Sequence, residues 1–274
     1  MPDTPGFPRS TDASAQARGA GHAPAVRLHD VHKAFALQVV LSGISLDIRA
    51  GDTTVIMGPS GSGKSVLLKH IVGLIHQDAG TVIVDGKDVA RLKRDELRAL
   101  RSTIGYVFQN GALFDSMTVF ENIRLGITDE EKYRDEDYCH ERVNRCLTLV
   151  NLTPETGDKF PAQLSGGMRK RVGISRAIAG SPKYLLYDEP TSGLDPVNSD
   201  IIDELVKTLA SELHVTSVMV THDVRGAFKV ADRLALLTRG KIVQQGTPAE
   251  FRASTVPEVR EFLERDFGTH PFAA

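Results

Sequence analysis

A chain of 274 residues with 41% hydrophobic content is long enough to bury a sizeable core as one or two domains. Its 33 basic and 35 acidic residues leave a net charge of −2, which excludes a general electrostatic field for nucleic acid. No run approaches the roughly 18 consecutive apolar residues of a membrane span, so any service to a membrane is expected from the aqueous side. Tryptophan is absent and glycine numbers 24, a balance that favours an α/β protein with tight turns over a β-sandwich.

In chain order, residues 1–24 are rich in Pro, Ala, Gly and Ser and lack an apolar h-region. They are expected to form a disordered tail rather than a secretory signal. Val26–Val31, Ile44–Ile48 and Asp52–Met57 read as strands, the last ending at Gly58, and a helix follows over about 64–73. Thr81–Val84 is a further strand turning at Asp85-Gly86, a hairpin dipeptide. Arg94–Arg101 reads as a charged surface helix and Ile104–Phe108 as strand. From Thr118 to about Ala179 the pattern is helical and polar, interrupted by a loop at 151–161, so a helical insertion is expected in the α/β core.

Tyr184–Tyr187 and Thr216–Val220 are apolar runs of the buried parallel kind, joined by a helix over 201–212. Leu234–Leu237 and Lys241–Gln245 finish the sheet. Thr247-Pro248-Ala249-Glu250 looks like a helix start, and Val259, Phe262, Leu263 and Phe267 share one face of a last helix, expected to dock on its own domain. No internal repeat is visible. Cys139 and Cys146, seven positions apart, have neither C-x-x-C spacing nor nearby ligands and read as ordinary thiols. Two thiols without a signal peptide point to a reducing compartment. The basic clusters at 91–101 and 169–171 read most simply as solvated faces.

Two runs carry chemistry. Gly58-Pro59-Ser60-Gly61-Ser62-Gly63-Lys64-Ser65 matches the phosphate-loop pattern G-x-x-x-x-G-K-[ST], with a strand before it and a helix after it. Its glycines let backbone N–H groups converge on phosphate oxygens at a helix N-terminus. Lys64 reaches the β/γ-phosphates and the Ser65 hydroxyl suits Mg²⁺. The second run, Tyr184-Leu185-Leu186-Tyr187-Asp188-Glu189, is an apolar strand with carboxylates at its C-terminal end, where ligands gather in open α/β sheets. There Asp188 is expected to hold Mg²⁺ and Glu189 to orient and deprotonate the attacking water.

Taken together, these runs resemble the nucleotide-binding domain of an ABC transporter over about 26–246, with the motifs in the expected order. Leu164-Ser165-Gly166-Gly167 is similar to the family's signature, Gln109 to its Q-loop glutamine and Ser192-Gly193-Leu194-Asp195 to its D-loop. His222 resembles the switch histidine, and Phe35 stands where an aromatic stacks on adenine. The resemblance implies an α/β P-loop NTPase at 25–247, with a RecA-like core, an antiparallel β subdomain, a helical subdomain at about 110–180 and a helical extension at 248–274. It implies ATP hydrolysis, with ATP and Mg²⁺ as cofactors. Phe35, residues 58–65, Val66, Gln109, Ser165, Gly166, Gly167, Met168 and Asp195 are the implied nucleotide contacts. Ser65, Gln109 and Asp188 are the implied metal ligands, and Lys64, Glu189 and His222 the implied catalytic groups.

The resemblance further implies a head-to-tail homodimer in which the P-loop of one subunit and the signature of the other enclose each ATP. One departure stands out: the family signature usually continues with Gln, whereas this chain has Met168, which lacks an amide. Met168 and the segment Asn110–Ile123 resemble the ATPases of Mla/Mce-linked lipid transport, as does 256–263. That subfamily implies an integral membrane permease, an Mce-type lipid-binding partner and a cytoplasmic place on the inner face of the plasma membrane, with no nucleic acid. Ala112, Leu113 and Phe114 serve either a groove for the permease or a packing turn. Two other readings stay open: an ATPase of an amino-acid or other small-solute importer, and a non-transport ABC ATPase acting on DNA or ribosomes.

Overall fold

The structure, a computed structural model, describes residues 24–267, and the expected tail lies outside them apart from Pro24. Two sheets form the frame. Strands β1 (Val26–Phe35), β2 (Gln38–Ile48), β4 (Ala79–Val84) and β5 (Lys87–Asp88) make an antiparallel sheet in the order β2-β1-β4-β5. The second sheet holds β3 (Thr53–Met57), β6 (Ile104–Val107), β7 (Tyr184–Asp188), β8 (Thr216–Thr221), β9 (Arg233–Thr238) and β10 (Lys241–Gly246). Its order is β10-β9-β3-β8-β7-β6, parallel throughout except for β10.

Helices α1 (Lys64–Ile71), α2 (Arg94–Ser102), α3 (Val119–Arg124), α4 (Glu130–Arg134), α5 (Glu136–Leu149) and α6 (Gly166–Ala179) lie between or beside these strands. They are followed by α7 (Pro196–Leu213), α8 (Val224–Val230), α9 (Pro248–Arg252) and α10 (Pro257–Phe267).

Four expected boundaries are corrected. β1 runs past Val31 to Phe35, and β2 starts at Gln38 rather than Ile44, because the two keep pairing through Phe35 and Gln38 with bulges that absorb polar residues. α7 starts at Pro196, five residues before Ile201: Asp195 accepts from the Asn198 amide and Pro196 takes the first helical position. The Asp-Pro pair carried that start signal; apolar periodicity alone overlooked it. α1 stops at Ile71 rather than at 73.

The parallel strands divide the interior by their two-residue period. Val55 and Met57 of β3, Leu185 and Tyr187 of β7, and Leu234 and Leu236 of β9 face the helices α3, α5, α6, α7 and α8. Their neighbours Ile56, Tyr184, Leu186, Ala235 and Leu237 face α1 and the antiparallel sheet. Tyr184 also donates to Asp85 at 2.6 Å, tying the β4–β5 turn to the start of β7. Cys139 and Cys146 are free and buried on α5, and burial pushes the Cys146 thiol up to about 11, which keeps it protonated and unreactive. Val259 and Leu263 of α10 are buried in the helical core, packed toward α8 and β10, whereas the Phe267 side chain lies outside the described residues.

α7 and α8 meet over a buried carboxylate. Asp203 is 3% exposed, and a Cβ on Gly226 would stand 2.7 Å from its Oδ2, so any larger residue there would push the carboxylate aside. Burial, and secondarily the Asp223 charge, push Asp203 up to about 7, with Lys229 opposing and Asp200 and Glu204 adding. The folded state therefore holds a proton that the unfolded chain has lost between the ordinary 3.8 and about 7. Stability is then lost as pH rises through that window. Asp203→Asn should flatten the decline in melting temperature between about pH 4 and 7. An unchanged pH slope would show that Asp203 does not govern it.

Candidate nucleotide site

The loop leaving β3 is shaped by positions that admit only glycine. A Cβ on Gly58 would sit 2.1 Å from the Leu237 carbonyl oxygen, and Gly63, at φ 102, lies under Val40 of β2. The long β1–β2 hairpin thus crosses the loop, with Phe35 on the same hairpin, 46% exposed, and Lys33 over its ring at 5.4 Å. Lys64, 5% exposed at the start of α1, donates to the Gly58 carbonyl at 2.8 Å and the Pro59 carbonyl at 3.2 Å. Its ammonium also pairs with Glu189 Oε1 at 3.1 Å, so two distant motifs share one ion pair.

At the end of β7, Asp188 accepts from the Ser65 hydroxyl at 2.6 Å through Oδ1 and from the Tyr106 hydroxyl at 3.0 Å through Oδ2. Burial first, then Asp188, raises the Tyr106 phenol far above its usual range, so it remains a donor. A hydroxyl and one carboxylate are hard oxygen ligands of the kind Mg²⁺ takes when substrate phosphates complete its shell. Among the described residues no group of three or more His, Cys, Asp or Glu could hold a metal.

Glu189 follows in the left-handed region, at φ 50, a conformation that costs a side chain roughly 1–3 kcal/mol and persists only where the surroundings hold it. Its amide donates to the Val220 carbonyl at 3.0 Å, in line with β8. Its Oε2 lies 2.7 Å from His222 Nδ1 and accepts from the His222 amide at 3.3 Å. The strained backbone therefore aims the carboxylate between Lys64 and His222. Gln109, after β6, donates through Nε2 to Ser192 at 3.1 Å, joining the loop after β6 to that after β7.

The run 164–168 opens α6. Ser165 caps the helix by accepting from the Met168 amide at 3.2 Å, and Gly167 packs under α7, where a Cβ would stand 2.7 Å from Asn198 Oδ1. Asp195 holds that asparagine through both its backbone and side-chain N–H groups, which draws the Asp195 carboxyl below its usual range. Among the described residues no hydrogen bond joins 165–168 to 58–66. Within one chain the two glycine-rich runs are separate.

Three residues of this neighbourhood escaped sequence reasoning. Tyr106 was one apolar-strand residue among others; its pairing opposite Leu186, beside the end of β7, reveals its role. Of the basic cluster at 169–171 only Arg169 is exposed as expected. Lys170 is 6% exposed, its ammonium turned inward, and Arg171 donates to the Asn151 carbonyl at 2.8 Å. The other cluster, at 91–101, is the exposed face expected, and from it Arg101 also caps α1 through the carbonyls of Val72 and Gly73. Only the third dimension separates a basic run on a surface from one folded under a loop.

Residues 41–192 match the model of a family described as ABC transporter. The chain belongs to the ABC transporter family. The probable ribonucleotide transport ATP-binding protein mkl of Mycobacterium leprae is 36% identical over 87% of this chain and 68% of its own length. A sulfate/thiosulfate import ATP-binding protein, CysA 2 of Shewanella oneidensis, is 39% identical over 87% of the chain and 66% of its own length. The chain thus spans about two thirds of the length of these relatives.

Among solved structures, a dimeric ATP-binding cassette in a post-hydrolysis state with ADP and Pi superposes with a TM-score of 0.74 at 35% identity. That match covers 81% of this chain and 98% of the other. A cassette from Clostridium perfringens, cbiO1, part of the ABC transporter complex cbiONQ, gives 0.76 at 29% identity, over 89% and 96%. The two-sheet architecture is accordingly that of an ABC ATPase cassette, and its activity is ATP binding and hydrolysis. No helix among the described residues of this ABC ATPase is long and apolar enough to cross a membrane.

Proposed function

We propose that this ABC ATPase powers a membrane transporter for phospholipids or related hydrophobic molecules. The feature that supports a lipid cargo is local: Met168 after the signature glycines and the segment Asn110–Ile123 after Gln109 resemble the Mla/Mce-linked ATPases. In that segment Phe114 is 54% exposed, an apolar side chain on which a helix of an integral permease would seat. An Mce-type lipid-binding protein would complete the complex on the membrane's far side, with the ATPase on the cytoplasmic face.

In this reading two copies pair head to tail, because the 165–168 run lies apart from the chain's own P-loop. Each ATP is then held by 58–66 and Phe35 of one subunit and by Ser165, Gly166 and Gly167 of the other, with Asp195 between the two. ATP drives closure only because its γ-phosphate is contacted more fully in the closed dimer. Mg²⁺, held by Ser65 and Asp188 with Gln109 beside them, would neutralise charge on the phosphates when bound. Lys64 leaves its loop carbonyls for phosphate oxygens, Glu189 takes the proton of the attacking water, and His222 keeps the Glu189 carboxylate aimed. The boundaries 25–247 and 248–274 are proposed because the last strand among the described residues ends at Gly246.

A second reading has a specific observation behind it, the 39% identity to a sulfate/thiosulfate import protein. Purification of the intact complex, with its proteins and bound lipids identified by mass spectrometry, decides between the two. A multispanning permease, an Mce-domain protein and phospholipid are the expected outcome. A periplasmic solute receptor with no enriched lipid would replace the lipid reading with solute import.

A further inference from the structure

One face of α6 is bolted to the loop that follows β6. Lys170, Gly173 and Arg176, spaced three apart, share that face. A Cβ on Gly173 would stand 3.0 Å from the Gly111 Cα, so helix and loop are in direct contact. Gly111 and Ala112 both have positive φ, at 73 and 46, which turns their carbonyls out of any regular ladder. Arg176 takes up both, at 2.7 Å each. The Lys170 ammonium donates to the carbonyl of Gln109 itself.

Lys170 does something further. Its ammonium also lies 3.5 Å from the backbone carbonyl of Glu189, the residue held in the left-handed region. That same carbonyl accepts from the Ser192 amide at 3.2 Å, closing the turn that leads to Asp195. Lys170 is thus a buried cation between two backbone carbonyls from opposite sides of the site, on the helix that the signature run opens. Burial pulls its ammonium below the usual lysine range, and the Glu189 charge opposes that shift.

We propose that Lys170 is a positioning residue for hydrolysis: through two backbone carbonyls it keeps the Gln109 loop and the left-handed turn of Glu189 in register with the signature helix of its own chain. The inference rests on the roles assigned above to Glu189 and Gln109. Its physical content is that a strained φ survives only while its surroundings over-determine it. A charge-assisted bond to a carbonyl is among the stronger ways to do so. A shift of α6 would then reach Glu189 without passing through the nucleotide.

The test is Lys170→Met, which keeps the length of the side chain and removes the ammonium. Losing a charged hydrogen bond corresponds to roughly a tenfold or larger effect, expected here in kcat, with the dissociation constant for ATP within about threefold of wild type. Amide hydrogen exchange should quicken at 109–113 and 189–195 while the strands stay protected, and Lys170→Arg should restore most of the turnover. Wild-type kcat in Lys170→Met overturns the proposal, as does a loss of kcat accompanied by equal weakening of ATP binding that arginine does not rescue. Lys170→Gln carries the same test if the methionine variant does not fold, and wild-type turnover there overturns it too. Glu189→Gln measured alongside separates the two levels: turnover surviving in that variant removes the general-base reading, whatever Lys170 does.

Discussion

Replacing Glu189 with glutamine is expected to lower ATP hydrolysis by roughly 10²–10⁴-fold while leaving ATP binding intact, as for loss of a general base. The amide has the shape of the carboxylate, so it keeps contact with His222, 2.7 Å from Glu189 Oε2, and adds no bulk at φ 50. What it loses is the ability to accept a proton from water. It also loses the charge opposite Lys64, 3.1 Å away, which frees that ammonium for phosphate. Binding should therefore hold or tighten, and ATP-bound dimer should accumulate. Phosphate release under saturating ATP, beside nucleotide binding and a sizing column, reads all three quantities. Turnover at the wild-type rate would remove Glu189 from the chemistry.

Arg142→Met is expected to cost about 3 kcal/mol or more of folding stability, since hydrogen bonds to a charged group contribute about 1.5–3 kcal/mol each. Arg142 is 6% exposed on α5 and donates to the carbonyls of Ile178 and Ala179 and to the Ser181 hydroxyl, at 2.7, 2.8 and 2.9 Å. Those carbonyls are the last of α6, where a helix leaves acceptors unpaired and favours a cation. Methionine fills the volume and strands the acceptors in the core. For a domain of this size each kcal/mol moves the melting temperature by about 2–4 °C, so a fall near 10 °C is expected in thermal unfolding. A shift below about 2 °C would mean the α6 terminus finds other donors. Because α6 begins at the signature and touches the Gln109 loop, ATPase activity should be lost at a lower temperature as well.

How much was legible before the fold was seen differs by the range of the interaction. The P-loop was readable because its chemistry is local: glycines, lysine and serine must be adjacent to wrap one phosphate group. The strand 184–188 was readable because a parallel strand covered on both faces is apolar at every position, and all five of its residues are buried. The strands of the β1–β2 hairpin were foreshortened because bulges break the two-residue alternation and their outer ends, Phe35 and Val39 among them, are exposed, so pairing rather than burial extends them. The start of α7 went unread for a different reason: Asp195-Pro196 is a capping signal, and periodicity does not register caps.

The site divides along the same line. Adjacent residues in the sequence already marked the glycine-rich loop at 58–65, the acidic pair closing β7 and the run 164–168, since each is a short stretch of backbone. Tertiary structure alone decided what those motifs say to one another. Lys64 and Glu189, 3.1 Å apart, follow two different strands of one sheet, β3 and β7. Tyr106 reaches Asp188 only because β6 pairs with β7. Lys170, one more basic residue in a row of three, became a buried cation because α6 folds that face under the loop after β6. Sequence spacing carries local geometry, but the meeting of side chains from distant segments is set by strand order and helix packing, which only the folded chain possesses.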